Sequence, residues 1–272
     1  MDNPLQPAPP AVETRGLTRR FGPLTAVDHV DLRVPHGAIF GLLGANGAGK
    51  STMMKMLATL LPPSAGTAVV GGFDIVRAPG QVRRCIGYVP QLLSADGALT
   101  GYENLRLSAK LYGLPLAERR TRIADALDFM DLAAAADKLV RSYSGGMIRR
   151  LELAQAMLHR PRILFLDEPT IGLDPVARRA VWDRLRDLRQ DYGMTILLTT
   201  HDMEEVEFLC DELAILHAGR IAVVGQPDAL RAGIGPQASM DDVFARYAGV
   251  GMTEGGDMAR AVQGREAARR RG

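Results

Sequence analysis

The nine residues "GANGAGKST", 44–52, constrain this chain more than any other stretch. They follow the apolar run "AIFGLL" and lead into "KSTMMKMLATLL", whose apolar residues recur at helical spacing. A strand that passes through a glycine loop into a helix aims bare backbone N–H groups at one point, and phosphate oxygens bind there. Gly44, Gly47 and Gly49 let the backbone close around an anion without Cβ clashes, and Asn46, Ala48 and Thr52 complete the cradle. Lys50 is placed to reach β- and γ-phosphates, and Ser51 to ligate Mg²⁺. The chain has only three other lysines, Lys55, Lys110 and Lys138, among 33 Lys+Arg. It keeps lysine where a compact point charge is wanted.

The remainder supplies the sheet that such a turn needs. "AVETRGLTRRFG" and "TAVDHVDLRV" read as paired antiparallel strands, with Val30, Leu32 and Val34 alternating with Asp31 and Arg33. "GTAVVGGFDI" reads as one further strand, and "CIGYVPQ" as a short one ending at Gln91. From about Gly101 to Leu158 the helical period dominates. Beyond it, "RILFLDEP", "TILLTTH" and "ELAILHAGRIAVVG" alternate with the helical "VARRAVWDRLRDLRQDY" and "DMEEVEFLC". The expected fold is α/β, a mostly parallel core sheet with an antiparallel β subdomain and an α-helical subdomain inserted at about 92–158. The expected boundaries are a disordered proline-rich arm over 1–11, one domain over 12–226, a C-terminal extension over 227–248 and a flexible basic tail over 249–272.

Composition narrows the function classes. A net charge of +2 sets up no global field that selects nucleic acid or an anionic membrane. Cys85 and Cys210 have no metal-ligand spacing and read as reduced core fillers. "MDNPLQPAPPA" lacks the apolar region of a signal peptide, and no apolar run nears the ~18–20 residues that span a bilayer.

Other candidate residues stand at strand ends. Asp167 and Glu168 close the apolar strand "ILFLDEP", at the sheet edge where ligands of open α/β sheets bind. Successive side chains diverge, so Asp167 suits Mg²⁺ through water while Glu168 faces the γ-phosphate and polarises a water. His201 ends "LLTTH" at a strand-to-helix corner, and Asp202 and Glu205 after it have capping-box spacing. Gln91 is neutral and available to Mg²⁺ or the attacking water, and Phe21 offers a ring to stack on adenine. "SYSGGMIRRLELAQAML", 142–158, opens a helix on Ser144, Gly145 and Gly146. Glycine is costly there, so something must approach the backbone closely. The helix end is a second anion site.

In combination and order, Phe21, "GANGAGKST", Gln91, "YSGGM", "ILFLDEP", "GLD" at 172–174 and His201 resemble the ATP-binding-cassette (ABC) ATPases over roughly 12–226. In that family two nucleotide-binding chains meet head to tail around two ATPs. The resemblance implies that Ser144, Gly145 and Gly146 bind the γ-phosphate of an ATP held by the partner's Lys50, with Asp174 at the dimer seam. Tyr143 and Met147 depart from the usual Leu and Gln, and Phe21 from the usual Tyr. "YSGGM" with "RRLELA", and "SMDDVFARYAG", are similar to the drug- and antibiotic-exporter branch typified by daunorubicin-resistance ATPases. That branch implies a peripheral ATPase at the cytoplasmic face of the cell membrane, paired with a second ATPase chain, a homodimer being expected and a heterodimer the alternative. It pairs with a separate multi-span permease docked on the block after Gln91, where Leu99, Tyr102 and Leu105 are candidate contacts or ordinary core. An ABC ATPase acting on nucleic acid or ribosomes, or an importer ATPase, is the alternative. One P-loop, no Cys pairs and no extended heptads disfavour the nucleic-acid reading.

Overall fold

The computed structural model describes residues 9–248. Its first half contains β1 (Val12–Phe21), β2 (Leu24–Val34), β3 (Ile39–Leu43), α1 (Lys50–Leu57), β4 (Ala65–Val70), β5 (Phe73–Asp74), α2 (Pro79–Cys85), β6 (Ile86–Val89), α3 (Gly101–Leu111) and α4 (Leu116–Phe129). The second contains α5 (Gly145–Met157), β7 (Ile163–Asp167), α6 (Pro175–Tyr192), β8 (Thr195–Thr200), α7 (Met203–Leu209), β9 (Glu212–His217), β10 (Arg220–Gly225), α8 (Pro227–Ile234) and α9 (Met240–Tyr247).

Two sheets form. The larger has six strands in the order β10-β9-β3-β8-β7-β6, parallel apart from the β9–β10 hairpin. The smaller is antiparallel, β2-β1-β4-β5. The unbroken apolar strands are those covered on both faces. Along β7, Ile163 and Phe165 face a core shared with α1 and the small sheet, whereas Leu164 and Leu166 face one built from α3 to α7 and α9. By contrast β2 buries Val27, Val30, Leu32 and Val34 and turns Asp31 and Arg33 outward, the alternation of a one-sided sheet. Asp28 accepts from Arg220 Nε at 2.7 Å, joining the two sheets.

Three details differ from the sequence reading. "GTAVVGGFDI" is a hairpin, because Gly71 and Gly72 take φ of 57° and 86° and reverse the chain between β4 and β5. The helix after the glycine loop ends at Leu57, four residues short of the apolar run. The proline-rich arm stops before Ala11, which is buried and donates its N–H to Val34 O at 2.8 Å. Residues 1–8 and the tail expected over 249–272 lie outside the described residues. Residues 227–248 pack α9 onto α7 and β9 through buried Met240 and Val243. Cys210 is buried and Cys85 partly so, both free thiols.

Candidate nucleotide-binding site

The P-loop is built by β3 delivering the chain to Gly44 and α1 taking it up at Lys50. Gly49 caps the helix at φ 107°, and a Cβ there would lie 2.3 Å from Ala26 O, so only glycine fits. Lys50 is 4% exposed; its Nζ donates to Gly44 O at 2.7 Å and Ala45 O at 3.2 Å, and lies 3.3 Å from Glu168 Oε1. A buried ammonium among acceptors at a helix N-terminus is held ready to meet phosphate oxygens.

The carboxyl ends of β7 and β8 sit beside it. Asp167 Oδ1 accepts from Ser51 Oγ at 2.8 Å and from Thr199 Oγ1 at 2.7 Å, so the α1 hydroxyl and the strand-end carboxylate share one spot. Glu168 turns the other way. Its φ is +50°, a strained conformation for a residue with a Cβ, costing on the order of 1–3 kcal/mol. Thr199 fixes that conformation by accepting the Glu168 N–H at both Oγ1 (2.9 Å) and O (3.2 Å). Around the Glu168 carboxylate stand Lys50, Gln91 Nε2 at 3.3 Å and His201 Nδ1 at 3.5 Å. The structure therefore groups Lys50, Ser51, Gln91, Asp167, Glu168 and His201. Tyr88 on β6 is pushed up to about 12 by burial and by the Asp167 charge, so it stays neutral beside the group.

Other sequence-picked residues lie elsewhere. Phe21 ends β1, is 43% exposed and has the Arg19 guanidinium 4.6 Å from its ring centroid. Asn46 and Gly47 are exposed on the loop, while Ala48 is buried and Thr52 half-buried. Ser144 caps α5 by accepting the Met147 N–H at 3.3 Å, and Ser144 and Gly145 are exposed. Asp174 caps α6, accepting from Val176 N at 3.0 Å and Ala177 N at 2.9 Å. Ser144, Gly146 and Asp174 line one hollow that holds no P-loop residue. An intramolecular neighbour also explains a glycine here, because a Cβ on Gly146 would lie 2.7 Å from Ala177 Cβ on α6. Tyr143 is buried, donating to Ala135 O at 2.6 Å, so its departure from the usual Leu points into the core.

One expectation is corrected. Glu205 does not reciprocate Asp202 in a capping box. Asp202 alone accepts the Glu204 N–H at 3.0 Å, while Glu205 turns inward to accept from Thr170 Oγ1 at 2.7 Å and Trp182 Nε1 at 2.8 Å. Burial raises its carboxyl above the ordinary value, so it holds a proton more readily. Of the two readings open for Leu105 the structure supports the core, since it is fully buried; the exposed apolar side chains in the block after Gln91 include Leu92, Leu93, Leu107, Leu111, Tyr112 and Leu116.

Sequence reasoning missed Thr199, Thr170, Arg149 and Glu152. The signal for Thr199 was a polar residue on a fully buried strand; the helical charges gave none.

Comparison with known proteins follows the same lines. Residues 27–171 match the family model described as ABC transporter. The chain belongs to the ABC transporter family. It is an ATPase of that family. It is 46% identical over 225 residues to the daunorubicin/doxorubicin resistance ATP-binding protein DrrA of Streptomyces peucetius, covering 83% of this chain and 68% of that protein. It is 45% identical over 221 residues to the Nod factor export ATP-binding protein I of Ralstonia nicotianae, covering 81% of this chain and 68% of that protein. Among solved structures it is similar to an ATP-binding subunit of an ABC transporter (TM-score 0.77, 32% identity, 87% of this chain and 99% of that one). It is also similar to a dimeric ATP-binding cassette in a post-hydrolysis state with ADP and Pi (TM-score 0.70, 25% identity, 79% and 98%). Among the described residues no helix is long and apolar enough to cross a membrane.

Proposed function

We propose that this chain is the ATP-hydrolysing subunit of an exporter, closing as a homodimer around two ATPs at the cytoplasmic face of the membrane. Closure drives a drug, antibiotic or lipid-like substrate through a separate multi-span protein. The observation that carries this reading is the exposed helix end at Ser144–Gly145, a second anion site set apart from the Lys50 group and beside Asp174. A chain needs two such sites if each ATP lies between two copies. Resistance and export in the relatives' names favour an exporter over an importer. A net charge of +2 sets up no global field that selects nucleic acid.

Each residue then has a task. Gly44 to Thr52 cradle the phosphates, Lys50 neutralises β- and γ-oxygens, and Phe21 stacks on adenine. Ser51, Asp167 and Gln91 present only oxygen donors, and few of them, which fits Mg²⁺ with its retained waters, Asp167 acting through water. Bound Mg²⁺ supplies charge neutralisation at the phosphates. Glu168 accepts the proton of the attacking water while His201 meets the γ-phosphate. The partner's ATP docks on Ser144, Gly145 and Gly146 with Asp174 at the seam. The exposed apolar side chains of the block after Gln91, among them Leu92, Leu93, Leu107, Leu111 and Leu116, are offered to the membrane protein.

The test is Ser144→Arg together with Glu168→Gln, each tagged and purified with ATP from detergent-solubilised native membranes. Glu168→Gln should bring down a multi-span protein and run as a dimer. Ser144→Arg should bind ATP as a monomer. ATP-driven dimerisation of Ser144→Arg would remove the shared-ATP arrangement, and co-purification with ribosomes or DNA would remove the transport reading.

A further inference from the structure

Arg149 and Glu152 sit one turn apart on α5, each side chain 2% exposed, with Nη1 to Oε2 at 2.9 Å. Burying two charges is costly, and apolar residues of similar volume hold such a position as well or better. Stability alone does not account for the pair. Its other bonds do. Arg149 Nη1 donates to Pro90 O at 2.8 Å and Nη2 to Gln91 O at 3.0 Å. Glu152 Oε1 accepts from Ser94 Oγ at 3.0 Å and from the Ser94 N–H. One helix thus grips residues 90–94 through four hydrogen bonds from two side chains. The next stretch is tied elsewhere, Asn104 on α3 bonding both N–H and C=O of Asp96 at 2.9 and 3.0 Å.

What is gripped carries Gln91, whose side chain reaches Glu168. The helix that grips it begins at Ser144. We propose that Arg149 and Glu152 are positioning residues that lock the Gln91 segment to α5, so that the helix end facing the partner's ATP and the glutamine facing this chain's own site move as one body. The proposal rests on the shared-ATP reading above. It makes docking at Ser144 move Gln91 relative to Glu168, so occupancy of one site sets the geometry of the other. A displacement of ~1 Å at a reacting centre is worth up to about 100-fold in rate.

The experiment uses the full-length chain carrying Arg149→Met and Glu152→Met together, which removes both charges and leaves neither unpaired. Thermal unfolding, ATP affinity, steady-state ATP hydrolysis and amide exchange are measured against the wild type. The expected result is faster exchange at the Ser94 amide and ATP affinity within about twofold. With them, kcat falls at least about tenfold and the Hill coefficient for ATP drops to about 1. A merely structural pair would alter unfolding and exchange and leave kcat and cooperativity untouched. Cooperative turnover within about twofold of wild type, or an unchanged Ser94 amide, overturns the proposal. If the double variant does not fold, Glu152→Gln, which preserves volume, is read in the same assays with a kcat loss of about threefold or more. A wild-type chain that fails to dimerise with ATP refutes the shared-ATP reading and the clamp with it; wild-type dimerisation with an unimpaired variant refutes the clamp alone.

Discussion

Replacing Gly146 by alanine separates two reasons for opening a helix on Ser-Gly-Gly. An added Cβ would stand 2.7 Å from Ala177 Cβ. Carbon atoms prefer about 3.5–4.0 Å, so α5 and α6 must part by about 1 Å. Overpacking of this kind costs about 1–3 kcal/mol. Alanine recovers up to about 1 kcal/mol over glycine in a helix interior, and less in a first turn. The net expectation is a loss of about 1–2 kcal/mol, or roughly 2–8 °C in Tm at 2–4 °C per kcal/mol for a domain this large.

Ala177→Gly removes the opposing Cβ, so the two substitutions form a cycle. Denaturant unfolding of both single variants and the double should give a coupling energy of about 1–2 kcal/mol, well above the ~0.5 kcal/mol scatter of independent sites. The same proteins mixed with ATP report the other reason. If Gly146 also admits the partner's phosphate, the double variant regains stability and still fails to dimerise. Additivity within about 0.5 kcal/mol would refute the packing argument, and full recovery of dimerisation would show that the glycine serves α6 alone.

Glu168→Gln should bind ATP with turnover lowered by roughly 10²–10⁴, read as phosphate release; wild-type turnover would remove Glu168 as the base. Glu205→Gln tests a pH dependence. Burial raises the Glu205 carboxyl, so its share of stability is full below its unfolded value near 4.5 and is lost as pH rises through the raised folded value. Glutamine removes that loss, so its Tm should gain on the wild type as pH rises above about 4.5, and a pH-independent difference would contradict the assignment. Tyr143→Phe removes the 2.6 Å donor to Ala135 O, which keeps the Lys138 N–H at 2.9 Å, and should cost about 0.5–1.5 kcal/mol in unfolding while ATP turnover holds; a turnover defect in the folded variant would place Tyr143 in the site.

The layers were legible because apolar pattern and burial coincide. β3, β7 and β8 read as strands covered on both faces, and the residues just beyond them read as one sheet edge. The misreadings have local causes. The Gly71-Gly72 pair marks a two-residue hairpin turn, and the apolar residues on either side masked it. Glu205 has capping-box spacing, yet Trp182, 23 residues earlier, supplies a buried donor that the spacing does not reveal. Arg149 and Glu152 fit no periodicity argument, since a helical charge is ordinarily solvated and the acceptors of Arg149 are 58 and 59 residues away.

These exceptions share a place and a reason. Lys50, Arg149, Glu152, Asp167, Glu168, Thr199 and Glu205 are buried polar residues, and such groups must find partners. No single element can satisfy them. Ser51 and Thr199 meet on Asp167, Lys50 and Gln91 meet on Glu168, and Arg149 holds the backbone that carries Gln91. The polar interior therefore joins α1, β7, β8, the segment after β6, and α5 at the edge where phosphate would bind. Apolar periodicity specifies which layers stack. The polar contacts specify how their ends meet, and a shift of one end reaches the others through bonds of about 3 Å, with no loss of the apolar core.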